Sequence, residues 1–229
     1  MRLNKLEFGA LFSYSPHGET QEASLSRSVR TAIKNDEFVF SSGKQIPMSM
    51  LIAESIQNPS HSLPFGYLFD PAPILVPARS SSLMKSNSLW VPMRIATALK
   101  QSGLGREVSK SLDRTKSLPK SATSDSATRP TAAQQYDSLE VQKLLTEPES
   151  ILLVDDVVAT GATLIGAANR LLDVYPKARI AAFAALRTVT KPEDFRGINE
   201  SVRGINYLIP FWQDASRPLM SGNRDIVRD

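Results

Sequence analysis

The chain has 229 residues, 41% of them hydrophobic and 22% charged, with no cysteine, two histidines and a formal charge of +4. That length can bury a core of its own, and the composition excludes wholesale disorder, a disulfide framework, a thiolate nucleophile and cysteine-ligated zinc. No apolar run approaches the roughly 18 residues that span a bilayer, and the opening MRLNKLEFGALFSYS is broken by Glu7 and Gly9, so no signal peptide and no membrane association are expected and the protein is assigned to the cytoplasm.

Residues 19–36 carry Ala23, Leu25, Val29, Ala32 and Ile33 at helical spacing, with polar residues between them. A second helix is predicted in MSMLIAESIQ, behind Pro47, where the missing N–H of proline matters least. The turn-rich NPSHSLPFGYLFDPAP then leads into Ile74, Leu75 and Val76, a short apolar run bounded by prolines that reads as a buried strand. In LWVPMRIATALKQSG, Leu89, Met93, Ile95, Ala96 and Leu99 are spaced for a helix packed on a sheet, with Pro92 in its first turn and Gly103 as its stop. A strand is predicted over 106–112. Residues 113–131 are dominated by serine, threonine, lysine and proline and read as a long mobile loop. A helix over 136–145 would carry Leu139, Val141 and Leu144. A strand over 151–154, a helix over 161–174, a doubly buried strand over 179–186 and a last strand over 205–211 complete the order, with no internal repeat.

Strands alternating with helices of this length predict an α/β fold, a parallel sheet with helices on both faces, because parallel strands need crossovers and the crossovers cover the sheet. Residues 1–72 read as a mostly helical N-terminal extension or hood, 73–215 as the core and 216–229 as a C-terminal tail. In such sheets ligands bind beyond the carboxyl ends of the strands.

That rule gives meaning to ILLVDDVVATGATL, where Asp155 and Asp156 are the first polar residues after a wholly apolar strand. Adjacent carboxylates repel, so a cationic or hydroxyl-bearing partner is expected against them. The small residues that follow let an anion approach backbone N–H groups, the next helix points its positive end at the same place, and the hydroxyls of Thr160 and Thr163 can donate further hydrogen bonds. Carboxylates for sugar hydroxyls beside a place for phosphate describe a phosphorylated sugar. Two other readings compete: an ordinary strand-turn-helix whose aspartates cap and whose small residues pack, and a Walker B strand, which needs a P-loop that the sequence lacks.

The stretch VDDVVATGAT resembles, at every position, the phosphoribosyl pyrophosphate (PRPP) motif of the type I phosphoribosyltransferases. The resemblance implies that Asp155 and Asp156 contact the ribose hydroxyls of PRPP, and that Val158, Ala159, Thr160, Gly161, Ala162 and Thr163 hold its 5-phosphate. It implies a pyrophosphate loop at Pro77, Ala78, Arg79 and Ser80, in which Arg79 faces the departing pyrophosphate together with the catalytic acids. It further implies a flexible catalytic loop, for which 113–131 supplies Arg114, Lys116, Lys120 and Arg129. The strand end Val76-Pro77, the run Leu112 to Lys116, and a distant Arg129-Pro130-Thr131 before Gln134, Gln135 and Tyr136 are similar to the competence-associated, ComF-type branch, although the cysteine zinc module often found there has no counterpart in this cysteine-free chain.

The function so implied is transfer of ribose 5-phosphate from PRPP, bound with Mg²⁺, to an acceptor such as a nucleobase or other small molecule, with release of pyrophosphate. No metal ligand is read directly from the sequence. Tyr207, Phe211 and Trp212 could stack on an acceptor ring or pack in the core, and His17 reads as a site residue or a surface group. A non-catalytic regulator of this fold, or a module that meets DNA or a protein partner through the basic stretch 106–129, is the rival reading, and a structural protein with a vestigial pocket is a third. Association of several copies is left open.

Overall fold

A computed structural model of the chain describes residues 3, 5–80, 88–119 and 129–207, the last three by their backbone alone. Its centre is a six-stranded sheet made of β1 (Lys5–Tyr14), β4 (Ile74–Pro77), β5 (Glu107–Val108), β8 (Ser150–Val158), β9 (Arg179–Thr188) and β10 (Val202–Tyr207), in the order β10-β1-β9-β8-β4-β5. All neighbours are parallel except β10, which runs antiparallel to β1. Two short ribbons stand apart from it: β2 (Phe38–Ser41) with β3 (Lys44–Pro47), and β6 (Leu112–Arg114) with β7 (Leu139–Val141).

The apolar run of β8 shows why the sheet is covered twice. Side chains alternate across a strand, so Ile151 and Leu153 enter one core with Ile74, Val76, Ala182 and Ala184, while Leu152 and Val154 enter the other with Leu75, Ala181, Phe183 and Ala185. The first core is closed by helix α5 (Ala162–Val174) through Leu164, Ile165, Ala168 and Leu171. The second is closed by α1 (Gln21–Asn35), α2 (Met48–Gln57) and α3 (Val91–Gln101) through Ile33, Ile52, Ile95 and Leu99. The short helix α4 (Ala132–Asp137), opened by a capping box between Thr131 and Gln134, lies on α5. Gly166 of α5 makes that contact close: a Cβ there would stand 2.6 Å from Gln135 Cβ and 2.7 Å from the Ala132 carbonyl oxygen.

The caps follow ordinary chemistry. Thr20 accepts the Ala23 N–H at the start of α1, and Asp36 ends it in the left-handed region at φ 48° with its N–H on the Ala32 and Ile33 carbonyls. The Asp36 carboxylate also accepts the Ser49 N–H at 2.8 Å and Arg94 Nη1 at 3.1 Å, tying the end of α1 to α2 and α3.

Several expectations need correction. The segment 1–72 is helical over α1 and α2, but it also contains the β2–β3 ribbon and, in β1, a strand of the central sheet itself, so it is not wholly an appendage. Glu7, Gly9 and Ser13 hide β1 because they interrupt its apolar pattern; Gly9 is required where a Cβ would meet Phe65 at 2.4 Å. The strand expected over 106–112 is two short pieces, β5 and β6, because REVSKSL offers little to bury. The helix expected over 136–145 is the end of α4 followed by β7, where Leu139 packs as a strand residue. β8 runs to Val158, so both aspartates lie within the strand rather than after it. The last strand begins at Val202; residues 208–211 and the tail 216–229 lie outside the described residues.

Candidate active site

Because β4, β8, β9 and β1 are parallel, their carboxyl ends share one edge of the sheet. Asp155 and Asp156 lie near that edge on opposite faces of β8: Asp155 follows the side of Ile151 and Leu153, Asp156 the side of Leu152 and Val154. Asp156 is buried, with Oδ1 accepting the Val157 N–H at 2.8 Å. Its Oδ2 accepts Lys34 Nζ at 2.6 Å, from the last turn of α1. Asp155 Oδ1 accepts the Asp156 N–H at 2.9 Å. Burial, and then the charge of Asp156, hold the Asp155 carboxyl well above the usual carboxylate range, against the opposing pull of Lys34.

Beyond Val158, which is buried at the strand end, Ala159 and Thr160 form an exposed turn. Gly161 follows at φ 78°, a left-handed conformation that residues with a Cβ resist, and it is the N-cap of α5. Having no side chain, Gly161 cannot cap the helix, and Thr160 Oγ1 accepts the Ala162 N–H only at a long 3.5 Å. Ala162 and Thr163 form the first turn of α5. The helix therefore presents N–H groups and its positive dipole end beside the two acids.

The next strand brings the second predicted element to the same edge. Pro77 pairs with Val154, and the Ala78 N–H donates to the Val154 carbonyl at 2.8 Å, so Pro77, Ala78, Arg79 and Ser80 start one strand away from the acids. Arg79 is held rather than splayed: its Nε donates to the Leu112 carbonyl at 2.7 Å, its Nη2 pairs with Asp113, and its guanidinium lies 4.0 Å from the ring centre of Trp90. Trp90 Nε1 in turn donates to the Ala78 carbonyl at 2.8 Å.

Arg114 is the principal correction among the site residues. It is buried at the end of β6, where it donates to the main-chain carbonyls of Ser80 and Arg79, to Ser138 Oγ and to Gln135 Oε1. Burial, and then the charge of Arg79, push its guanidinium down to about 10, which leaves it cationic at neutral pH. Arg114 thus braces the Arg79–Ser80 backbone from below and is not a mobile-loop cation. A polar sequence context concealed this, since a buried arginine and a solvated one look alike in a serine-rich stretch. Lys116 and Arg129 are exposed at either side of the stretch 120–128, and Lys120 lies outside the described residues. His17 is exposed, and the side chains of Tyr207, Phe211 and Trp212 lie outside the description.

Sequence reasoning missed Lys34, Asp113 and Trp90, and it singled out Gln135 only as part of a family resemblance, without its contact to Arg114. The repulsion between paired acids predicted that a cation stands against them, but not that it comes from a helix 122 positions earlier. Among the described residues no three His, Asp or Glu side chains gather as a metal cage, and no helix is long and apolar enough to cross a membrane.

A search of curated proteins finds no match to this chain. A family profile, the phosphoribosyl transferase domain, matches residues 87–206, more than half of the chain and including β8, the glycine turn and α5. The pyrophosphate-loop candidate at Pro77 to Ser80 precedes the matched region. With the mainly parallel, doubly covered sheet and the acid pair at its carboxyl edge, this match establishes that the chain belongs to the phosphoribosyl transferase domain family.

Proposed function

We propose that the protein is a phosphoribosyltransferase that binds PRPP with Mg²⁺ and transfers ribose 5-phosphate to an acceptor, releasing pyrophosphate. The observation that carries this reading is the sequence of groups at the end of β8: two partly desolvated acids, then a left-handed glycine, then an open helix N-terminus. The acids accept hydrogen bonds from the ribose hydroxyls, and the N–H groups and hydroxyls from Ala159 to Thr163 receive the 5-phosphate. One strand away, Arg79 offers a guanidinium to the pyrophosphate.

In the reaction a nucleophilic atom of the acceptor forms a bond to the anomeric carbon while the bond from that carbon to pyrophosphate breaks, and the electron pair leaves with the pyrophosphate oxygen. Positive charge develops on the sugar and negative charge on the leaving group. The chain's own contribution is orientation of the sugar by Asp155 and Asp156 and stabilisation of the departing charge by Arg79 and the backbone N–H groups behind Ala78. Asp155 and Asp156 would offer carboxylate oxygens to Mg²⁺, an ion that prefers oxygen ligands and is commonly held by one or two carboxylates together with substrate phosphates. When bound, Mg²⁺ neutralises phosphate charge. The acceptor is proposed to be a small molecule, a nucleobase being one candidate. The competence-associated branch is proposed from Val76, Pro77, Arg79 and the run Leu112 to Lys116, and a cytoplasmic location from the sequence alone.

Calorimetric titration with PRPP and Mg²⁺ tests the site: the parent chain binds, and Asp155→Asn with Asp156→Asn abolishes binding. A parent chain that gives no heat with PRPP refutes the proposal. Screening nucleobases and small amines for pyrophosphate release then identifies the acceptor, and binding without turnover alongside salt-dependent DNA binding would favour a non-catalytic module.

A further inference from the structure

Lys34 stands at the acid pair without belonging to the motif that contains it. It sits in the last turn of α1, its Nζ is 2.6 Å from Asp156 Oδ2, and its side chain is 40% exposed while that of Asp156 is 12% exposed. The reach is fixed at both ends. Asp36, two residues on, terminates α1 and anchors it to Ser49 and Arg94, while the other oxygen of Asp156 is held by the Val157 N–H. The carboxylate of Asp156 is therefore clamped between the strand backbone and a cation from the N-terminal segment.

We propose that Lys34 is a positioning residue of the sugar site: it holds the Asp156 carboxylate oriented to accept a ribose hydroxyl, and so makes α1 part of the PRPP site. This inference rests on the phosphoribosyl reading and adds to it a residue some 120 positions upstream of the motif. A carboxylate oxygen has two lone-pair directions, so Oδ2 keeps one for a hydroxyl while Lys34 occupies the other. Removing the lysine leaves two adjacent, partly buried carboxylates with a polyanionic ligand to receive. Asp156 then turns away from the position in which Lys34 and the Val157 N–H held it, and the sugar loses an oriented acceptor.

A lysine in the last turn of a helix also favours the helix dipole, and that purely structural role sets the alternative to be tested. The full chain is titrated with PRPP and Mg²⁺ as wild type, Lys34→Met and Lys34→Arg, and melted with and without ligand. Loss of one charge-assisted contact predicts that Lys34→Met weakens PRPP binding about 10- to 100-fold, with the ligand-induced rise in Tm shrinking to match, while the unliganded Tm moves by no more than about 2 °C. Lys34→Arg restores affinity to within about threefold, because the charge is restored. Equal affinity in wild type and Lys34→Met overturns the inference and leaves the phosphoribosyl reading intact, as does a folded Lys34→Arg that binds as poorly as Lys34→Met. A wild-type chain that binds no PRPP overturns both.

Discussion

Gly166→Ala adds a single methyl group to α5 and tests whether the packing of α4 governs the pyrophosphate loop. The new Cβ would lie 2.6 Å from Gln135 Cβ, 2.7 Å from the Ala132 carbonyl oxygen and 2.9 Å from the Tyr136 nitrogen. Two of these atoms are main chain, so no rotamer change relieves them and α4 itself must retreat. Overpacking of this kind costs about 1–3 kcal/mol, and the rigid partners put this case in the upper half, about 2–3 kcal/mol. Alanine returns about 1 kcal/mol through its higher helix propensity, which leaves a net loss of about 1–2 kcal/mol. For a chain of this length that lowers the Tm by about 2–8 °C in thermal unfolding followed by circular dichroism. The same retreat draws Gln135 from Arg114, whose other donors hold the Arg79 and Ser80 carbonyls, so affinity for PRPP falls as well. A variant as stable as the parent, or more so, would refute the argument, since propensity alone would then decide the outcome.

Further outcomes follow from the charges. Asp155 has a folded-state pKa above its ordinary value of 3.8, so its contribution favours the fold below the unfolded value and is lost as pH rises through the folded value. Asp155→Asn should therefore melt higher than the parent at about pH 7.5 and approach it near about pH 4; a pH-independent difference in Tm would contradict the burial of this carboxyl. Arg114→Met leaves the Ser80 and Arg79 carbonyls, Ser138 Oγ and Gln135 Oε1 short of a donor, and should cost about 2–4 kcal/mol in denaturant unfolding. Arg114→Lys should recover little of this, because a single ammonium cannot meet the carbonyls, the hydroxyl and the amide oxygen with the geometry of a guanidinium fork.

What was legible in the sequence was whatever local pattern alone determines. Ile151 to Val154 announce a doubly buried strand because every residue of a parallel central strand faces a core, and the Asp155-to-Thr163 run announces its turn because chemistry and conformation demand small residues there. The helices α1, α2, α3 and α5 were recognisable from spacing, proline placement and caps. What escaped was set by distant contacts. β1 carries Glu7, Gly9 and Ser13, and only the positions of β9, β10 and Phe65 explain why such a segment is a strand. Leu139 and Val141 suit a helix or a strand equally well, and β6 decides in favour of the strand. At the candidate site, Arg79 was singled out through its neighbours in sequence, whereas Arg114 and Lys34 owe their positions to partners that no local window contains.

The place of β1 in the sheet also governs when the molecule can be completed. Ser13 pairs with Arg187, 174 positions further along, and the other edge of β1 waits for Val202–Tyr207. During synthesis β1 emerges well before β9 and β10, so Leu6, Phe8 and Leu11, all buried in the finished protein, spend that interval without their sheet. Closure of so long a loop is a late and slow event. A chain halted before β9 would hold Asp155 and Asp156 at the margin of an unfinished sheet, with β1 still unpaired.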